Sequence, residues 1–413
     1  MYKKIISAIM AFAVLFCLAG CAGQADNADI ALAADAEFAE EEKNKKRDAV
    51  SVHIKDNDGL LNLKQKELIY NYGIKYAETL KNLQAADISE FYADAESEEC
   101  YINKTAFETL VNIRSLSPNN LQLEYVAVDY RVESVTNIGN AVRVVIVEDN
   151  VQKFPHIEGE SLTCNTYHEF DLVQSGENWL MKSHIHEEDF YLLTRTAWDD
   201  ISAGSYAQKA EKTVDMLVAD AQENYVLRNE NLNEYSETDV NKKYDREKAV
   251  EYAEEWYNKR NPDYLQYDLY GGNCQNFASQ CIHAGGMDMD IKGTYTCQWK
   301  FYGKDLNYRQ APVGRSYSWI GVDEFHTYAV YNRRDGLMTQ PDIALGYAQK
   351  GDVIQVGAYN KWHHSLVVTD IVADADGNQT DILLASNTAD RWNYPLSAYI
   401  YTYPRLIHID GQI

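Results

Sequence analysis

The feature that most constrains the fold is a short segment between two glycine pairs, Gly271-Gly272 and Gly285-Gly286. Apolar residues recur between them at three- and four-residue spacing, as at Phe277 and Cys281, which is the pattern of a helix that buries one face. The first glycine pair is typical of a loop that ends where a helix begins, and the second pair ends that helix. The sequence therefore predicts a buried helix that begins at Cys274.

A cysteine at a helix N-terminus is a candidate nucleophile. The helix dipole and the free backbone N–H groups favour negative charge there, so we expect the pKa of the Cys274 thiol to be lowered. Backbone N–H groups next to the thiol would form part of an oxyanion hole. The candidate oxyanion or substrate contacts are Tyr270, Asn273, Gln275 and Asp390. Taken alone, the segment is equally compatible with a buried structural cysteine at a helix start.

A base and an orienting group are expected on strands that follow the nucleophile helix. Asp374–Gly377 is typical of a hairpin turn and joins the last two of three strand-like stretches, which are residues 351–356, 364–372 and 380–387. A turn centred on that tetrapeptide places His364 opposite Asn387 and directs His363 to the other face. The register therefore predicts His364 as the base and Asn387 as the amide that orients it.

Several short motifs follow one another along the C-terminal part of the chain: Tyr244–Ala253, Arg260–Tyr264, Gly271–Gln280, Gly351–Ile354, His364-Ser365 and Asn387–Arg391. Together they resemble a bacterial amidase domain family of the papain-like superfamily, from Tyr244 to about Pro404. The resemblance implies a nucleophile helix packed on an antiparallel sheet, and amide-bond cleavage by a Cys-His-Asn thioester mechanism without metal or cofactor. Two positions depart from the family, which usually has Asp at the position of Asn273 and often His at that of Asn387.

Residues 1–20 have the layout of a bacterial secretory signal. Lys3 and Lys4 precede an apolar run over residues 5–18, which is too short to span a bilayer comfortably. Leu18–Cys21 resembles a lipobox, so we expect cleavage before Cys21 and lipid attachment to that residue. The lipid would anchor the protein on the outer side of the cell membrane. The alternative is an ordinary signal peptide that happens to carry a cysteine.

Composition and periodicity divide the rest of the chain into four parts. Residues 21–57 are rich in Ala, Asp and Glu and are predicted to be a disordered tether. Residues 58–198 are predicted to form a smaller α+β accessory domain that loosely resembles the cone-shaped nuclear-transport-factor type. Its helix is predicted within residues 60–83, and its strands at 121–132, 141–147, 167–174 and 179–187. Residues 199–242 are predicted to be a helix and connector, and residues 243–413 the papain-like domain of an α+β chain.

The sequence favours neither a metal site nor a nucleic-acid partner. The formal net charge of −25 opposes binding to phosphate backbones. No C-x-x-C pair follows Cys21, so a structural zinc site is not expected. His184 and His186 share one strand face, but a polar strand end is favoured because no third ligand is evident. The residues from Asp374 to Asp381 lack the spacing and closing Glu of a calcium loop, which favours the turn.

The expected partner is a peptide or cell-wall amide substrate. Two other functions stay open at this point: a surface module that binds without catalysis, and an acyl transferase that passes the thioester to an amine. The presence of Cys274, His364 and Asn387 together argues against the first. Hydrolysis and transfer share the thioester, so the sequence does not separate them.

Overall fold

The computed structural model describes residues 49–227, 232–293, 297–303, 314–332, 335–358 and 361–413. The predicted signal peptide, Cys21 and most of the predicted tether lie outside these residues. The last part of the predicted tether does not fit the structure, because Val50–Lys55 form strand β1 and pair in parallel with Val126–Arg131. Val50, Val52 and Ile54 alternate with more polar residues there, which is a strand pattern.

The strands are β1 Val50–Lys55, β2 Tyr125–Ile138, β3 Ala141–Lys153, β4 Ser161–Ser175, β5 Asn178–His186, β6 Lys242–Lys243, β7 Phe301–Tyr302, β8 Gly314–Arg315, β9 Leu337–Ile343, β10 Val353–Ala358, β11 Lys361–Ala373, β12 Gln379–Ser386, β13 Asp390–Pro395 and β14 Tyr403–Gln412. Twelve of them form one mixed sheet with the path β1-β2-β3-β4-β13-β12-β11-β10-β14-β6, and β5 and β9 pair with β4 and β14. β7 and β8 form a separate pair.

The described residues form eight α-helices: α1 Leu63–Asn82, α2 Glu98–Arg114, α3 Asp189–Asp200, α4 Tyr206–Leu227, α5 Arg246–Trp256, α6 Cys274–Ala284, α7 Tyr317–Ile320 and α8 Val322–Tyr331. The α+β class predicted from the sequence is therefore confirmed. Within the described parts of the chain, no helix is both long and apolar enough to cross a membrane.

The first half of the chain contains the predicted helix and the predicted strands. Asn62 and Gln65 form a capping box that starts α1, and β2 to β5 overlap the four predicted stretches, with β2 beginning four residues later than predicted. The turn before Asn178 joins β4 and β5. Helix α2 was not predicted, although Ser97 caps its N-terminus.

The two histidines predicted to lie at a polar strand end are buried instead. His184 and His186 are 1% and 2% exposed and stack with His168 of β4, with ring centroids 5.3 and 5.2 Å from that of His168. They face the helices that cover the sheet, as shown by the contacts of His184 with Tyr72 of α1. No cluster with the geometry of a metal site occurs among the described residues.

Helix α6 packs on one face of the C-terminal strands. Phe277 and Cys281 share a core cluster with Val353, Val367 and Ala385, which come from β10, β11 and β12. Gly285 caps the helix C-terminus, as the sequence predicts. The other face of these strands belongs to the core cluster of the N-terminal helices, so both faces are buried. This arrangement explains the continuous runs of Val, Ile and Leu in β10 to β12.

The strands of the two predicted domains belong to one sheet. β13 pairs antiparallel with β4, where Asp390, Arg391 and Trp392 lie opposite Cys164, Thr163 and Leu162. Residues 49–413 accordingly form one compact unit. The boundaries drawn at residues 198 and 243 stay predictions. The shared sheet brings residues of the first half of the chain close to the predicted catalytic strands.

Candidate active site

The predicted nucleophile is the first residue of α6. Gly271 and Gly272 precede it with φ angles of 109° and 121°, which glycine adopts far more easily than other residues. Asn273 is the N-cap, and the Cys274 side chain is buried at 6% exposure. The backbone N–H groups of Ser365, Gln275 and Cys274 itself lie close enough to the sulfur to lower the pKa of the thiol. Three donors therefore converge on the atom predicted to attack the substrate.

The direction of the Cys274 pKa shift differs from the prediction. Burial raises the pKa of this thiol, the three backbone N–H groups lower it in part, and the net shift is upward. The prediction of a lowered pKa was wrong because the helix start alone does not reveal that the sheet buries the thiol. The resting group is a neutral thiol near pH 7, and its attack requires a base.

The predicted base lies on β11, next to the residue that contacts the sulfur. His364 is 5% exposed and pairs with Val356 of β10, while the backbone N–H of the neighbouring Ser365 acts on the Cys274 thiol. Burial lowers the pKa of His364 to about 4, with Asp189 acting to raise it and Arg391 to lower it. The imidazole is therefore neutral at pH 7 and free to accept a proton. Within the described residues, no hydrogen bond joins it to Cys274 and its Nε2 has no partner. Catalytic hydrogen bonds of this kind often form only when substrate binds.

The predicted register between β11 and β12 was wrong. Val367 lies opposite Ala385 and Asp370 opposite Leu383, so the pairing is shifted from the one that places position 364 opposite 387. The hairpin loop causes the shift, because the Asp374 N–H donates to the carbonyl of Asn378, one residue beyond the predicted partner Gly377. The irregularities between Val368 and Asp370 and after Val372 cancel each other. β12 ends at Ser386, so Asn387 lies in the turn before β13 and not in the ladder.

The amide of Asn387 is occupied by groups other than the imidazole. Its Oδ1 accepts from Nδ2 of Asn273 at 2.8 Å, and its Nδ2 donates to the carbonyls of Trp256 and Tyr257 at 3.0 and 2.6 Å. The predicted hydrogen bond to His364 is thus absent from the structure. Asn387 instead ties the N-cap of α6 to the end of α5.

We expect the Asn387→Ala substitution to act mainly on stability. It leaves the buried Asn273 amide and two helix-end carbonyls without this partner, and each such loss costs about 1–3 kcal/mol. The free energy of unfolding, measured by urea denaturation, should fall by about 2–4 kcal/mol. Asn112→Ala, on the exposed face of α2, is the matched control and should change it little. Unchanged stability combined with lost activity would instead favour the orienting role predicted from the sequence.

A network of charged residues holds the loop before the nucleophile. Arg260 binds Asp268 at 2.7 Å and Asp390 at 2.9 Å, and these contacts join the loop to the turn between β12 and β13. Thr388 in that turn has a φ of 56°, a strained value for a β-branched residue. Its hydroxyl donates to Asp268 and accepts from the Asn273 N–H, which holds the strained residue in place.

The four predicted oxyanion or substrate contacts separate into two groups. Tyr270 is 80% exposed and available to a ligand. The other three side chains have structural partners: Asn273 with Asn387, Gln275 with Ser365 and Gln355, and Asp390 with Arg260 and Asn165. The oxyanion donors that the geometry offers are therefore backbone N–H groups at the start of α6. No metal site accompanies them in the described residues.

A cavity of about 180 Å³ lies beside the predicted base. One wall comes from α3 and the other from β11 and the segment before β14; the lining residues are Leu192, Leu193, Thr196, Ala197, Lys361, His363 and Tyr401. The ring of His363 stacks on Tyr401 at a centroid distance of 5.0 Å, and Tyr401 lies within electrostatic reach of Cys274. Sequence reasoning missed this wall, because α3 is remote in the chain from the catalytic motifs.

Comparison with known proteins supports an amidase domain in the segment that carries these residues. Residues 243–409 match a family model described as "Putative amidase domain". The chain is also similar to "Uncharacterized protein YhbB" of Bacillus subtilis (strain 168), with 33% identity over 153 residues. That match covers 37% of this chain and 40% of the relative, so it spans less than half of each protein. No solved structure matches the chain.

Proposed function

We propose that this chain is an exported, lipid-anchored cysteine hydrolase that cleaves an amide bond. The observation that carries the proposal is the position of Cys274 at the start of a buried helix, where three backbone N–H groups act on its sulfur. The match of residues 243–409 to an amidase domain supports the same chemistry. Peptide of the cell wall is the proposed substrate class, because an exported enzyme meets that amide-rich material first.

The proposed reaction proceeds through a thioester. His364 takes the thiol proton as the Cys274 sulfur attacks the substrate carbonyl carbon, and backbone N–H groups of α6 stabilise the oxyanion. The tetrahedral intermediate collapses, the C–N bond breaks, and the protonated His364 gives its proton to the leaving amine. Water, deprotonated by His364, then attacks the thioester carbon, which releases a carboxylic acid and restores the thiol.

Mass spectrometry of the protein after mixing with a short peptide amide tests this proposal. The expected result is a mass increase equal to the acyl part of the peptide, located at Cys274 and removed by hydroxylamine. A product formed with an added amine, in place of the free acid, would indicate an acyl transferase. A binding module would retain the intact peptide without a covalent adduct, and that result would overturn the proposed chemistry.

The lipid anchor is a separate part of the proposal. When the chain is expressed in bacteria with its own first 20 residues, the protein should partition into the detergent phase, and Cys21→Ser should move it to the aqueous phase. Cys17→Ser is the matched control, since Cys17 lies inside the apolar run and should leave the partition unchanged. Equal partition of wild type and Cys21→Ser would contradict lipid attachment at that residue.

A further inference from the structure

A network of buried polar side chains crosses the N-terminal region. The Tyr72 hydroxyl contacts Nδ1 of His184 at 3.0 Å, and Nε2 of His184 contacts Nδ1 of His168 at the same distance. Nε2 of His168 lies 3.2 Å from Oε2 of Glu148, which is completely buried. Buried titratable groups arranged in this way are costly unless a partner or a function requires them.

The network of polar side chains continues to the start of α3 and to β13. The Tyr76 hydroxyl donates to Glu188 at 2.8 Å and also contacts Glu148. Glu188 lies 4.0 Å from the guanidinium of Arg391, which donates to Asp189. Asp189 and Arg391 are 8% and 4% exposed, so this ion pair is shielded from water. The Arg391 guanidinium also lies over the rings of Tyr394 and Tyr399, at 4.6 and 4.8 Å.

The end of this network, at Asp189 and Arg391, lies on the same side of the sheet as the predicted base. His364 pairs with Val356 of β10. Its side chain lies on the same face of β11 as that of Leu366, two residues further along the strand. Val356 and Leu366 belong to the core cluster that contains Phe190 of α3, whereas the odd-numbered Val367 packs in the cluster of α6. Arg391 of β13 lies opposite Ser386 of β12, one strand away from β11. The His364 side chain therefore faces the side where α3 begins. Tyr401 belongs to the same core cluster and interacts electrostatically with both Asp189 and Cys274, so the thiol at the first turn of α6 is approached from that side as well.

Among the described residues of the amidase segment, no acceptor orients the imidazole of His364. Its Nε2 is buried without a partner among the described residues, and the Asn387 amide has other partners. The titratable groups that act on His364 are Asp189 of α3, Arg391 of β13 and His363 of its own strand, and Asp189 is the one that raises the pKa of the imidazole. Asp189 and Arg391 also line a small cavity of about 10 Å³, which has room for about one water molecule.

We propose that Asp189, held by Arg391 at the start of α3, is the positioning residue for His364. It acts directly or through one water, fixes the ring tautomer and stabilises the imidazolium that forms when Cys274 attacks. The inference rests on the proposed function for the role of His364. It goes beyond the amidase segment, because Asp189 lies outside residues 243–409 and the N-terminal region would complete the site. Histidine bases held by a buried carboxylate lose much of their activity when that carboxylate becomes an amide.

The test uses the full chain and a readout that needs no substrate. In a Cys274→Ala background with ¹⁵N-labelled histidine, the His364 ring should show one tautomer at pH 7. Asp189→Asn should mix the two tautomers, because an amide both donates and accepts, and Asp189→Glu should restore one tautomer in part. Asp200→Asn, at the other end of α3, is the matched control and should leave the ring signals unchanged.

Activity supplies the second readout. Asp189→Asn should lower kcat about 100-fold with little change in KM, and Asp189→Glu should recover part of the loss. Unchanged His364 ring signals in folded Asp189→Asn would overturn the inference, even if the enzyme forms the thioester. If Asp189→Asn does not fold, Asp189→Glu decides by its chemical shifts. The longer side chain should move the carboxylate and change the ring shifts, so ring shifts and tautomer both identical to wild type would contradict a carboxylate placed against the ring. Failure of the proposed function is distinct, because it appears as a missing thioester at Cys274 while the ring signals still respond to Asp189.

Discussion

Replacement of Cys274 by alanine should abolish thioester formation and reduce turnover of a peptide amide by at least about 10⁴-fold. The thiol is the only group proposed to form a bond with the substrate carbon. Cys274→Ser should be inactive as well, because a hydroxyl is harder to deprotonate than a thiol and the neutral His364 is a weak base. Rates of product release, measured by chromatography of the amine and acid products, check both variants.

Cys281→Ala is the matched control for this result. Cys281 lies two turns further along α6, carries a free thiol and is completely buried in the core cluster. Its replacement should lower stability by about 1 kcal/mol and leave turnover near the wild-type value. If Cys281→Ala removed activity while Cys274→Ala retained it, the nucleophile would be assigned to the wrong end of the helix.

Local sequence patterns account for the parts of the fold that were predicted. Helix α6 is bounded by glycines, and its apolar spacing needs no information from elsewhere in the chain. The same holds for α1 with its capping box and for the hairpin after Ala373, where Asp374 accepts from the N–H groups of Asp376 and Asn378.

Most of the failures have a non-local cause. The register error is the exception, because the loop between β11 and β12 has one residue more than the predicted two-residue turn, and this moves the pairing by one position. The upward pKa shift of Cys274 comes from burial by the sheet, which the helix pattern does not reveal. Asn387 was assigned to His364 from the simple register, whereas the structure places it between Asn273 and the end of α5.

The environment of His364 is the least predictable part of the site. Asp189 belongs to a segment that has no catalytic motif, and it reaches the C-terminal strands because β4 pairs with β13. That pairing carries Arg391 to the start of α3, where the ion pair with Asp189 forms. Only the three-dimensional structure joins these residues, since their separation in the chain far exceeds any local pattern.

Replacement of His364 by alanine should lower kcat about 10²- to 10⁴-fold and should also change the shape of the pH profile. In the wild type, His364 is neutral above its pKa of about 4, so activity should fall only as the pH approaches 4. In His364→Ala, attack depends on the small thiolate fraction of a thiol whose pKa burial raises. The rate should then increase about tenfold per pH unit up to at least pH 9, because each unit raises the thiolate fraction tenfold.

His363→Ala is the matched control, because the two histidines are adjacent but differ in environment. His363 is exposed, contacts the carbonyl of Ala358 and stacks on Tyr401, so its loss should affect substrate binding in the neighbouring cavity more than proton transfer. We expect a raised KM, a nearly normal kcat and an unchanged pH profile. A tenfold-per-unit pH dependence in His363→Ala, with a normal profile in His364→Ala, would identify His363 as the base. The neutral thiol makes this comparison sensitive, since a nucleophile that is not ionised at rest depends fully on the group that takes its proton.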